Sequence, residues 1–226
     1  NTHSSGVTFS GAIGTNGNKI GNLVVESSTR GNATFNSTVD ATAADIDTDG
    51  GASTLIFTGD VRGGAWNIET GGSGDTAALN FRGDLTLTSL NIDKETAEAT
   101  VTFDGGSAQT IAGNFTATAD GDGTLVVNNS NGVTFSGTIG TSSGNKVGNL
   151  NVRSTATFSS TVDATAADID TDAGSSTVIF TGNVVGGAWN IETGGSGDTA
   201  AVNFRGNLTL TSLNIDKETA EATVTF

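Results

Sequence analysis

GGAWNIETGGSGDTAA occupies residues 63–78 and returns unchanged at 186–201. An enzyme pocket is asymmetric and is needed once, so a long segment copied in tandem points to a scaffold of repeated units. Outward from this stretch, residues 65–103 match 188–226 at 37 of 39 positions, the differences being Leu79/Val202 and Asp84/Asn207. GVTFSG at 6–11 recurs at 132–137, and TFNSTVDATAADIDTD at 34–49 recurs as TFSSTVDATAADIDTD at 157–172. The chain divides into a first repeat over 1–131 and an incomplete second repeat over 132–226, continuous with the first. The repeat length is about 126 residues.

A finer period runs inside each copy. Phe9, Phe35, Phe57, Phe81 and Phe103, then Phe135, Phe158, Phe180, Phe204 and Phe226, follow one another at intervals of 22–26 residues, with a single interval of 32 between Phe103 and Phe135. Phe115 alone stands outside the series. Around each phenylalanine the apolar or small residues alternate, as in Leu55–Phe57–Gly59–Val61, which is strand period and not helix period. A second short strand follows in each coil, marked by Leu23/Val25, Ile46, Trp66/Ile68, Leu90/Ile92 and Phe115/Ala117. Gly-, Asn- and Asp-rich segments such as ETGGSGD and ADGDG supply the turns, and DKETAEAT at 93–100 and 216–223 reads as a charged turn between strands. The expected fold is all-β: a parallel β-helix, or β-solenoid, with about five coils of 22–32 residues per repeat and the phenylalanines stacked along its axis, plugged by Trp66 and Trp189.

Composition agrees with this reading. Thirty-three glycines supply turns, and the absence of proline leaves every backbone N–H free to join a ladder. With no cysteine, disulfides and thiolate chemistry are excluded. A net charge of −15 argues against nucleic acid and anionic membranes as partners, and no apolar run is long enough to insert in a bilayer. The chain also lacks an initiator methionine and a secretion signal, so it reads as a processed or excised part of a longer precursor.

Candidate sites are few. DIDTDG at 45–50 opens like an EF-hand loop and is copied as DIDTDA at 168–173, so Asp45, Asp47, Asp49, Asp168, Asp170 and Asp172 are candidate ligands for weakly held Ca²⁺. The terminal bidentate acid of such a loop is replaced by Ile56 and Ile179, and hydrated surface carboxylates are the competing reading. No other cofactor is indicated. His3 is the single histidine, which leaves no catalytic triad, and no catalytic residue is assigned. Glu69, Asp75, Asp84 and Asp93 are the acids that a polysaccharide-cleaving β-helix would have to pair across coils.

GTLVVNNSNGVTFSGTIGT at 123–141, with GNLNV at 148–152 and TFSSTVDAT at 157–165, resembles the passenger and repeat regions of large bacterial surface proteins of the autotransporter and giant-adhesin type. That resemblance implies secretion to the bacterial cell surface and a parallel β-helix serving as stalk, fibre or coat. The expected partners are the chain itself, by end-to-end stacking or within a longer repeat array, and surface glycans. An adhesin segment and a polysaccharide-active enzyme are the alternatives.

Overall fold

The computed structural model describes residues 6–26, 31–48, 51–71, 76–94, 97–141, 144–170, 175–193, 199–217 and 221–226. Its regular elements are twenty-one β-strands, and every pair of strands runs parallel. Each strand is hydrogen-bonded to the strand about one coil later, as Phe35 is to Phe57 and Ile68 to Ile92. Hydrogen-bonded neighbours form two paths, one of ten strands and one of eleven, so the chain is the β-solenoid that its periodicity predicts.

The long strands turn a corner. Val39–Asp47 pairs with Val61–Gly63 through residues 39–41 and with Ala65–Thr70 through 44–47. Its inward positions are Val39 and Ala41 before the bend, then Ala44 and Ile46 after it. That odd-numbered step reverses which face points inward, so the strand bends between Ala41 and Ala44 and the coil acquires three sides. In the first copy the first side carries Asn32–Phe35, Ser53–Phe57, Ala77–Phe81 and Ala99–Phe103. The second carries Val39, Val61, Leu85 and Ile111, and the third carries Ile46, Ile68, Ile92 and Ala117.

The second copy does not continue on the same sides. Val133–Phe135, the counterpart of Val7–Phe9, is paired with residues 109–111 on the second side, whereas Val7–Phe9 lies on the first. From there Phe135, Phe158, Phe180 and Phe204 extend the Val61–Leu85–Ile111 column. Ile169, Ile191 and Ile215 extend the column of Phe103 through Val127 and Val152. One repeat is thus five turns and one further side, and the 32-residue interval between Phe103 and Phe135 is the place where that side is added.

The phenylalanine ladder is accordingly two ladders. Phe9, Phe35, Phe57, Phe81 and Phe103 stack with centroids 4.7–6.0 Å apart, and Phe135, Phe158, Phe180, Phe204 and Phe226 stack 4.8–5.6 Å apart. Between them the rings turn edge-on. Phe115, the residue outside the series, lies 5.8 Å from Phe103 and 6.0 Å from Phe135, at interplanar angles of 87° and 73°. It is the joint at which the aromatic core passes from one side to the next.

The copied GGAW stretch also has a structural reason. A Cβ on Gly63 would lie 2.2 Å from the Ala41 carbonyl oxygen and 2.9 Å from the Trp66 Nε1, and Gly186 meets Ala164 and Trp189 in the same way. The first glycine gives the indole room at the corner, and Trp66 then packs between Phe57 and Phe81. At the other turns, Asn and Asp clamp successive coils. Asp84 Oδ1 accepts the Thr110 N–H at 2.8 Å, and Asn114 Oδ1 and Asn183 Oδ1 accept the N–H groups of Thr138 and Asn207.

Phe115→Ala should destabilise the chain by about 3–5 kcal/mol, the range for deleting a buried ring. Phe226→Ala, at a ring that is 73% exposed, should change stability by about 0.5 kcal/mol or less. Equilibrium urea unfolding of the two variants tests the contrast.

Candidate functional site

The acidic residues of the repeated motif lie on the outward face of the 44–47 strand segment and its successors. Asp45 and Asp47 flank the buried Ile46, so their side chains leave the same face. Along the axis Asp45 is followed by Asn67 and Asn91, and Asp47 by Glu69 and Asp93. The second copy repeats the array one side further round, with Asp168, Asn190 and Asn214 beside Asp170, Glu192 and Asp216.

The amide column is internally bonded. Asn91 Nδ2 donates to Asn67 Oδ1 at 2.9 Å and Thr116 Oγ1 donates to Asn91 Oδ1 at 3.0 Å. Asn214 Nδ2 donates to Asn190 Oδ1 at 2.8 Å, and Asn190 Nδ2 reaches both Asp168 and Glu192. Asn190 thus sets a donor between two carboxylates, which offsets part of the repulsion between like charges on adjacent strands. Asp49 and Asp172 lie outside the described residues. Among the described residues no three His, Asp or Glu side chains gather as a metal-binding group.

Of the acids considered for glycan cleavage, Glu69 and Asp93 are register neighbours on this array. Asp84 stands elsewhere, on the corner between the first and second sides, in the turn Arg82-Gly83-Asp84. Both charged ends of that turn are engaged: Arg82 is 3.4 Å from Asp104, and Asp84 holds the Thr110 N–H. Asp75, its counterpart Asp198 and His3 lie outside the described residues.

Two carboxylates escape the alternation rule. Asp40 and Asp163 occupy the same place in the two copies, at outward strand positions, yet they are 2% and 0% exposed. Each lies beneath a small hairpin, closed by Thr15 and Asn18 in the first copy and by Thr141 and Asn145 in the second. The second hairpin is pinned to the preceding turn. Asn145 Nδ2 donates to the Ala117 carbonyl at 2.7 Å, and the Lys146 N–H donates to Asp120 Oδ1 at 2.8 Å. Asp40 faces Arg62 at 3.8 Å, but Val185 replaces that arginine in the second copy, where Lys146 Nζ approaches Asp163 at 3.8 Å instead. Neither Asp163 oxygen has a hydrogen-bond donor. Burial raises its pKa above the usual aspartate range; Lys146 opposes this shift and Asp120 adds to it. VDAT is identical in the two copies, and the GT…GNK hairpin precedes it by one coil, which is the signal that would have marked these residues.

A further feature lies where the single-copy segment 104–126 meets the second copy. Asp104, Asn128, Ser130, Arg153, Thr155 and Ser175 line an open polar recess of about 260 Å³. Between the lining residues Asn128 and Ser130, the fully buried Asn129 donates to the Ser107 carbonyl at 2.7 Å and to Gln109 Oε1 at 2.9 Å. Gln109 in turn donates to the carbonyls of Phe81 and Gly83.

The chain matches no family model, no curated protein and no solved structure. The functional reading therefore rests on the chain's own residues.

Between the aspartate value of the unfolded chain and the raised value of Asp163, the native state binds the extra proton, so stability falls as pH rises through that window. Asp163→Asn should flatten this slope and raise the Tm at neutral pH, which thermal melts recorded across the acid-to-neutral range will measure.

Proposed function

We propose that this chain is a structural β-solenoid, a rigid segment of an extracellular fibre, stalk or coat at a bacterial surface, without a catalytic centre of its own. The observation that carries this reading is the continuity of the core. The inward columns pass from the first copy to the second without a gap, through Val127 and Val152 on one side and through Ile111 and Phe135 on the next. A rod held by parallel ladders along its whole length resists bending and proteolysis, because no segment can leave without breaking the ladders on both of its edges. The repetition of the outward residues supports the same reading, since a spacer needs every coil and a reaction centre needs one. Cryo-electron microscopy of the native secreted material should show thin filaments with an axial spacing of about 4.8 Å. Compact monodisperse particles without that spacing would refute the fibre.

A second reading, an adhesive segment, is favoured by the polar recess at Asp104, Asn128 and Arg153, because the segment 104–126, which occurs once, contributes Asp104 and Gly105 to its wall. On that reading a surface glycan binds there, and Arg153→Ala abolishes its retention on an immobilised-glycan panel while leaving the Tm unchanged. Retention that survives the substitution removes the recess from consideration.

A further inference from the structure

The side of each copy that is backed by the phenylalanine ladder differs from the rest of the surface. On the first side, thirteen outward positions run in two columns from Thr8 to Asn151. The chain has 24 acidic and 9 basic residues, yet none of these positions is charged. Threonine dominates, with Thr34, Thr54, Thr100, Thr102 and Thr124 accompanied by Asn, Ala, Ile and Val. The second copy repeats this composition on its own phenylalanine-backed side, through Thr134, Thr157, Thr177, Thr223 and Thr225.

Two further observations separate this surface from the asparagine and acid array. The hydroxyls of Thr34, Thr54, Thr100, Thr102 and Thr124 donate to no protein group, whereas the amides and hydroxyls of the acidic side bond to one another. The backing is also regular: Phe35, Phe57 and Phe81 stack within 14° of parallel, and the strands above them pair without a register shift.

We propose that this surface binds ice. Its rungs repeat every 4.8 Å or so, close to the repeat of water oxygens along the a axis of hexagonal ice. Threonine presents a methyl group that orders first-shell water and a hydroxyl that can join the lattice, whereas a charged side chain would impose a hydration shell of its own. The occupant is therefore neutral, flat and periodic. A crystalline polysaccharide shares those properties but is gripped by exposed aromatic rings, and here Trp66, Trp189 and the stacked phenylalanines face inward. Because the two copies present the surface on adjacent sides, each is a separate site, and a flat crystal plane engages one copy at a time.

The test is thermal hysteresis and ice shaping by the full chain, compared with Thr102→Lys, Thr157→Lys, the pair combined, and a control carrying Thr209→Lys. Thr209 is an exposed threonine on the third side, which neither phenylalanine ladder backs, and melting curves confirm that every variant folds. Faceted crystals and hysteresis from the wild type and the control are expected, with partial loss in each single variant and collapse to the level of an albumin control in the combined one. Failure of the folded wild type to shape ice overturns the proposal, as does activity that survives the combined substitution. Retention on crystalline cellulose without ice activity overturns it in favour of a polysaccharide, and lateral dimers dispersed by the combined substitution overturn it in favour of a second copy of the chain.

Discussion

Everything in this molecule depends on one constraint: parallel strands in register place each residue directly above its counterpart in the preceding coil. The hydrogen bonds set the rung spacing, and the side chains must accept it. Inside, the constraint is an advantage, because rings and aliphatic chains stack on their own kind at van der Waals distance. Outside, it stacks like charges, as in Asp47, Glu69 and Asp93, and the chain sets a bonded column of asparagines, Asn67 with Asn91 and Asn190 with Asn214, beside them. At the turns it creates a need for acceptors aimed at the next coil, which Asp84, Asn114 and Asn183 supply.

Much of this was readable from the residues. Phenylalanine spacing reports coil length because a buried ring must recur once per turn, and alternation around each ring reports strand. The 32-residue interval after Phe103 was equally visible. Its meaning was not, because spacing along the chain does not say which neighbour a strand selects; only the pairing of Val133–Phe135 with 109–111 reveals the added side. Phe115 looked like an exception to the ladder and is instead its joint. The corner within Val39–Asp47 was also hidden, since Thr42 and Ala43 carry no turn signal and the bend shows only as a change of phase.

The candidate site was legible to a lesser degree. Asp45 and Asp47 do leave the same face around Ile46, as alternation requires. Asp40 and Asp163 were missed because alternation assigns them to solvent, and nothing local to them announces the hairpins that cover them. Asp163 and its counterpart also show how one framework solves the same problem twice. Where Arg62 sits one coil later in the first copy, Val185 sits in the second, and the cation arrives on the hairpin as Lys146.

The added side has a geometric outcome for any array built from this unit. Each repeat is turned by one side relative to the last, so neutral and acidic surfaces wind round the axis as stripes on a screw thread and return to their starting direction after three repeats. No line of approach to such a rod meets a wholly acidic or a wholly neutral flank. Its charge anisotropy averages out over a few repeats, and so does any preferred plane of bending that one copy alone would impose.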